Sequence, residues 1–173
     1  SRDDEYATLK QSVVDRLVEG LPESSAFGGA IRRALPEDGI ACFGVTQMGF
    51  YSWWGFPAYS PRSIIEPGLQ GTLGYGFPTA LGAKVAFPDR EVVSVTGDGG
   101  FMFCASELAT AAHHGINTVT VVMNDSAFGN VKRNQKTGYG ERYIASDLTN
   151  PDFMKLADAY GIWGRRVDNA ADL

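Results

Sequence analysis

Gly97-Asp98-Gly99 follows the apolar run Val92 to Val95, and Asn124-Asp125 follows a second run, Val119 to Met123, with 24 residues (100–123) between the two motifs. Two strand-like runs that each end in an oxygen-bearing side chain imply two ligands brought side by side at the carboxyl edge of a parallel sheet. Open α/β folds bind their ligands at that edge. Asp98 and Asp125 suit a small hard cation such as Mg²⁺, which prefers oxygen and is usually held by one or two carboxylates plus phosphate oxygens. Gly97 and Gly99 carry no Cβ, so the chain can turn sharply there and bring its backbone close to an anion. A helix starting near Phe101 would aim its first amides at that anion. The chemistry served is a divalent cation holding a diphosphate. Taken alone, Gly-Asp-Gly also fits an ordinary strand-to-helix turn.

The segment Gly71-Thr72-Leu73-Gly74-Tyr75-Gly76-Phe77-Pro78-Thr79-Ala80-Leu81-Gly82 places four glycines within a dozen residues. Such density marks a close approach of backbone to something else, and Pro78 suits the first turn of a following helix. Together the segments resemble the thiamine-diphosphate motif of the acetolactate synthases and 2-oxo acid decarboxylases. In that family a bulky aliphatic residue between glycines precedes Gly-Asp-Gly, a spacer in the mid-twenties and Asn-Asn.

The resemblance implies that Leu73 wedges under thiamine diphosphate and bends it, while the Gly71 carbonyl and Leu73 amide meet its aminopyrimidine ring. It assigns Mg²⁺ to Asp98, Asp125 and the backbone carbonyl of Ala127. Further cofactor contacts fall on Gly97, Gly99 and Gly100 in the first motif and on Phe128 and Gly129 after the second. Asn124-Asp125 departs from the usual Asn-Asn: it keeps a hard oxygen ligand but adds a negative charge beside Asp98 and a diphosphate. Asn130, Lys132 and Arg133 lie in the stretch that lines the substrate channel of relatives. Arg133 or Lys132 would meet a substrate carboxylate, Arg in a bidentate geometry that Lys cannot match; a solvated pair on a helix face is the competing reading.

The same resemblance implies a 2-oxo acid substrate and either decarboxylation or carboligation. The activating glutamate belongs to a pyrimidine-binding domain of the same or a partner chain, within a homodimer or homotetramer. No catalytic residue is assignable among these 173 residues, so the chain alone is expected to bind diphosphate and metal without turnover. A flavin (FAD), present in some relatives, would occupy a middle domain outside this sequence.

Composition bounds the alternatives. With 44% hydrophobic and 20% charged residues the chain reads as one globular domain. A net charge of −5, with no cluster of Lys and Arg interleaved with aromatics except the short run Lys132-Arg133, argues against nucleic acid as the main partner. No apolar run reaches the roughly 18 residues that cross a membrane, and Ser1-Arg2-Asp3-Asp4-Glu5 is unlike a signal peptide, which points to a cytoplasmic protein. Cys42 and Cys104 read as buried free thiols. Gly74-Tyr75-Gly76 begins a dinucleotide fingerprint, but Thr79 stands at its sixth position. A phosphate loop ending in Gly-Lys-Ser/Thr is absent, and a non-catalytic relative retaining the fold is the remaining alternative.

The elements that must position these residues follow from periodicity. Tyr6, Leu9, Val13, Leu17 and Val18 give an amphipathic helix over 5–19, stopped by Gly20. Residues 1–20 form a linker and leading helix, and 21–173 the cofactor-binding domain. A helix over 25–35, a strand over 40–45, an aromatic loop over 50–59, and a helix over 78–86 come next. They are followed by a strand to Thr96, a helix over 102–114, a strand from Thr118, a loop, a helix from Asn150-Pro151 to Tyr160, and a strand over 162–167. This alternation predicts an α/β fold, an open parallel sheet with helices on both faces. Tyr51, Trp53 and Trp54 suit an active-site approach, a subunit interface or the core. His113 and His114 point about 100° apart on a helix and suit its C-terminus before Gly115; Glu107 on that helix reads as a solvated or packing residue. Asp168-Asn169-Ala170-Ala171-Asp172-Leu173 reads as a helix start without its helix, so the chain is expected to be a fragment of a larger polypeptide, or else a separate subunit.

Overall fold

The computed structural model describes residues 2–173. Helix α1 (Arg2–Gly20) carries Asp3, Asp4 and Glu5 in its first turn, where the helix dipole favours them. Helix α2 (Pro22–Ala34) has proline at its start, a position whose amide has no helical partner in any case. Four parallel strands follow in alternation with helices: β1 (Ile40–Phe43), β2 (Ile64–Ile65), β3 (Val92–Gly97) and β4 (Val119–Met123), in the spatial order β2-β1-β3-β4.

Side chains of a strand alternate between faces, and the core divides accordingly. Ala41 and Phe43 of β1 join Val93 and Val95 of β3 against α2 and against Met48 and Tyr51 of α3 (Gln47–Gly55). Ile40, Cys42 and Val92 face the opposite way, onto Ala80 and Ala83 of α4 (Gly76–Ala86). That second face continues with Phe101 of α5 (Asp98–Met102) and with Leu108 and Ala111 of α6 (Glu107–His114); Phe153 and Leu156 of α8 (Phe153–Ala159) pack onto them. Both faces of the sheet at β1 and β3 are therefore covered, as befits parallel strands whose residues are buried on both sides.

The chain leaves β1 towards α3 on one face and leaves β3 towards α5 on the other. Such a reversal beyond the carboxyl ends of adjacent strands is the usual ligand position in sheets of this kind. Small residues allow close packing here. A Cβ on Gly44 would stand 2.9 Å from Thr96 Oγ1, and one on Gly49 would stand 2.2 Å from the Gly44 carbonyl oxygen.

Four local expectations need correction. The aromatic loop expected over 50–59 is helical as far as Gly55, in α3, and irregular only from Phe56: Thr46 caps the helix, accepting from the amides of Met48 at 2.8 Å and Gly49 at 3.4 Å, and burial of Met48 and Tyr51 outweighs modest propensity. The single helix over 102–114 is two, because residues 103–108 switch to tighter bonds such as Glu107 N–H to the Cys104 carbonyl. The loop after β4 contains α7 (Gly129–Gly138), whose poor helix formers are held by Gln135, which bonds both the amide and the carbonyl of Ile144. Residues 162–167 form no strand. Gly161 turns left-handed (φ 68°) and the Ile162 amide bonds back to the Ala157 carbonyl, so Ile162 packs on the helices and Val119 stays 62% exposed at the sheet edge. The short strand β2 gave no sign in the sequence.

His113 and His114 occupy the last turn of α6, ring against ring at 4.6 Å, before a left-handed Gly115. Among the described residues no helix is long and apolar enough to cross a membrane.

Burial pushes the Cys42 thiol up to about 12, and burial with the nearby Glu107 pushes Cys104 up to about 11. At pH 8 both are protonated and poor nucleophiles. Mass spectrometry after iodoacetamide at pH 8 is expected to show neither modified in the native protein and both modified in guanidinium.

Candidate functional site at the carboxyl edge of the sheet

Asp98 begins α5 directly at the end of β3 and is only 2% exposed. Its Oδ1 accepts the Gly99 amide at 2.8 Å and its Oδ2 accepts the Asn150 side-chain amide at 2.6 Å. Among the described residues no cation pairs with it. Gly97 is registered opposite Met123, so Asp98 and Asn124 leave adjacent strands at the same level.

Asn124-Asp125-Ser126 then turns tightly, with Ser126 left-handed at φ 55°. Asn124 Oδ1 accepts the Ser126 amide at 3.3 Å, and Asp125 Oδ1 accepts the Ala127 amide at 3.2 Å. Residues 126–128 pair antiparallel with 146–148: the Phe128 amide bonds the Ser146 carbonyl and the Leu148 amide bonds the Ser126 carbonyl, both at 2.8 Å. Ala127 is 9% exposed, and its carbonyl accepts no hydrogen bond from any described residue.

Two glycines at this edge leave no room for a side chain. A Cβ on Gly99 would stand 2.6 Å from the Phe128 ring and 3.0 Å from Leu148. One on Gly129 would meet Asp125 Oδ2 at 2.9 Å, and one on Gly100 would meet Leu73 at 3.8 Å. A methyl of Leu73 thus lies beside Gly100, and Leu73 follows the left-handed Gly71 (φ 58°) and precedes the left-handed Gly74 (φ 75°).

Beside this edge lies a cavity of about 270 Å³ between β1, α3 and the segment after β2. Gly71 and Asn130 line it, with Phe43, Phe50, Trp53 and Glu66. Glu66 accepts a hydrogen bond from Ser52. Of the three residues assigned to substrate, only Asn130 reaches the cavity. Lys132 is bonded to Asp147 at 2.5 Å, which raises its affinity for a proton, and Arg133 donates to Asn130 Oδ1 at 2.6 Å. Tyr51 belongs to the core, while Trp54 is 74% exposed.

Sequence reasoning missed Thr46, Glu66 and Asn150. Thr46 was legible as a capping residue; Asn150 and Glu66 act across long stretches of chain and have no local signature.

The donor set fits a small hard cation. Asp98 stands at the end of β3, and Asp125 with the unbonded Ala127 carbonyl stands in the turn after the adjacent β4; no group of three or more His, Cys, Asp or Glu among the described residues forms a self-sufficient metal cage. A site of that kind takes its remaining oxygens from a phosphate and water.

Residues 44–173 match the family model described as thiamine pyrophosphate enzyme, C-terminal TPP binding domain. The chain belongs to this family. An acetolactate synthase catalytic subunit from Aspergillus candidus is 44% identical over 124 residues, covering 72% of this chain and 18% of the relative. A probable acetolactate synthase large subunit from Methanococcus aeolicus is 42% identical over 132 residues, 74% of this chain and 22% of the relative. The solved Rhodococcus jostii RHA1 thiamine diphosphate-dependent 4-hydroxybenzoylformate decarboxylase superposes with a TM-score of 0.79 at 29% identity, over 87% of this chain and 28% of that one. The chain thus spans about a fifth to a quarter of the length of these relatives.

Close packing over the first motif sets a stability prediction. Gly99→Ala is expected to destabilise the domain by about 1–3 kcal/mol through overpacking against Phe128 and Leu148. Gly82→Ala, in open space on α4, is expected to stabilise it by roughly 0.5–1 kcal/mol. Urea unfolding of the two variants beside the parent checks both signs.

Proposed function

We propose that this chain is the diphosphate- and Mg²⁺-holding domain of an enzyme that decarboxylates or condenses 2-oxo acids in the manner of acetolactate synthases. The observation that carries the reading is Asp98: a carboxylate 2% exposed, without a cation among the described residues, tied to the turn that presents Asp125. A buried charge of this kind needs a counter-charge, and Mg²⁺ with a diphosphate supplies one.

Asp98, Asp125 and the Ala127 carbonyl would hold the cation. The backbone at Gly97, Gly99 and Gly100 would admit the diphosphate, and Phe128 and Gly129 would close over it from the other strand. Leu73 and the Gly71 carbonyl would support the ring end of thiamine diphosphate. Once bound, thiamine diphosphate supplies the electron sink for breaking and making bonds at the oxo carbon. The chain's own contribution is to anchor, to bend and to exclude water.

Residues 21–173 form the cofactor domain in this reading, with α1 leading into it, inside a longer polypeptide. The apolar surface beside the cavity, with Trp53 53% exposed, Trp54 74% and Leu69 fully exposed, suits a pyrimidine-binding domain of the same or a partner subunit in a homodimer or homotetramer. Because the activating glutamate belongs to that domain, the chain alone is catalytically silent. Asn130, which lines the cavity, would meet the substrate. Asp98 and Leu73 match the family pattern and Asp125 keeps a hard oxygen ligand where the family usually has Asn, which disfavours a relative that keeps only the fold.

A thermal melt tests the reading. A ligand at about 100 times its Kd stabilises the folded state by about 2.7 kcal/mol, which raises the melting temperature by about 5–10 °C for a domain of this size. Thiamine diphosphate with Mg²⁺ is expected to give that shift in the protein; thiamine with Mg²⁺, thiamine diphosphate in EDTA, and Asp98→Asn are expected to give none. A shift that survives EDTA or the Asp98 substitution would contradict the assignment.

A further inference from the structure

Asn150 sits on the segment leading into α8, remote in sequence from both motifs, and its side-chain nitrogen donates to Asp98 Oδ2 at 2.6 Å and to Asn124 Oδ1 at 2.9 Å. The orientation of both amides follows from their partners. Asn124 Oδ1 is fixed as an acceptor by the Ser126 amide at 3.3 Å, and a carboxylate accepts only, so Asn150 must present its NH₂ to both. Both of its N–H bonds are then used, one on each strand end. The brace is anchored from behind: Leu148 bonds the Ser126 carbonyl at 2.8 Å, and Asp152 caps α8 by accepting the amides of Met154 at 3.0 Å and Lys155 at 3.4 Å. Those amides, Lys155 first, hold the Asp152 carboxyl below its usual range, so the anchor persists into acid.

From this geometry we propose that Asn150 is a positioning residue that fixes the Asp98 carboxylate against the Asn124-Asp125 turn and thereby makes the cation site selective for a small ion. The proposal rests on the reading of the site as a metal–diphosphate site. Mg²⁺ demands near-ideal octahedral oxygens at about 2.0–2.1 Å, whereas Ca²⁺ accepts 2.3–2.6 Å in flexible geometry. Two carboxylates on separate strand ends discriminate between the ions only if they cannot spread apart. The ladder fixes the backbone at Gly97 and Met123, and Asn150 ties the Asp98 side chain to that of Asn124, the residue before Asp125, while Asp125 is held to its own turn by the Ala127 amide. One oxygen of Asp98 is also tied to the Gly99 amide, so the carboxylate cannot rotate away.

The test is made on the full polypeptide that carries this domain, titrating thiamine diphosphate by calorimetry at stepped Mg²⁺ and, separately, stepped Ca²⁺. Outer-shell partners of metal ligands typically contribute 10–100-fold in metal affinity. Asn150→Ala is expected to raise the Mg²⁺ midpoint about tenfold or more and the Ca²⁺ midpoint by much less, so that the preference for Mg²⁺ narrows. Leu148→Ala disturbs the packing of the same segment but leaves the donor, and is expected to keep the parental ratio. Should Asn150→Ala fail to fold, Asn150→Ser, too short to span both acceptors, is expected to narrow the ratio in the same way. An unchanged ratio in the Asn150 variant, or equal narrowing in Leu148→Ala, would overturn the proposal while leaving the cofactor reading intact. A parent polypeptide that binds no thiamine diphosphate with either ion would overturn both.

Discussion

Taking a carboxylate out of water costs several kcal/mol unless charge or hydrogen bonds replace its hydration, and Asp98 is the residue at which this molecule accepts that cost. Two donors meet it, the Gly99 amide and Asn150. The surrounding architecture follows from keeping it there. β3 must end beside β1 and β4 so that the carboxylate emerges at the carboxyl edge of the sheet. Gly99 must lack a side chain because Phe128 and Leu148 already fill that space, and the segment before α8 must return across the site to deliver Asn150.

The sheet supplies rigidity where the site needs it. Ile40 to Phe43 pair residue by residue with Val92 to Val95, and Val93 to Gly97 with Val119 to Met123. All eight β1 and β3 residues in the first ladder are buried. A frame packed on both faces moves little, so the strand ends hold their separation. Variation is left to the connections, where Lys132 pairs with Asp147 and Arg133 with Asn130 in exposed positions.

Much of this was legible in the sequence where a residue's role is local. The runs Ile40 to Phe43, Val92 to Val95 and Val119 to Met123 read as strands because few polar residues, only Ser94 and Thr120, interrupt them, although the last lies at the sheet edge and is only partly buried. The two motifs read as ligand-bearing turns through their pairing, Gly97-Asp98-Gly99 with Asn124-Asp125 after a second apolar run, because Gly-Asp-Gly alone also fits an ordinary turn. What could not be read depends on distant partners. Helix α7 is built from glycine, asparagine and threonine as much as from good helix formers, and it exists because Gln135 and Lys132 bond to a loop that follows it. Residues 162–167 have strand-like composition, yet the left-handed Gly161 turns Ile162 back onto α8. Asn150 reads as part of a helix start and acts instead 52 residues away, on Asp98.

The central claim is that the ends of β3 and β4 hold one divalent cation together with a diphosphate. Diffraction from crystals grown with thiamine diphosphate and Mn²⁺, collected at the manganese absorption edge, tests it most directly. The account predicts a single strong anomalous peak in contact with Asp98, Asp125 and the Ala127 carbonyl, at bonding distances of roughly 2.0–2.3 Å, with the diphosphate completing the shell. An ordered diphosphate with manganese elsewhere, or Asp98 still bonded only to Gly99 and Asn150 with no metal beside it, would contradict the account.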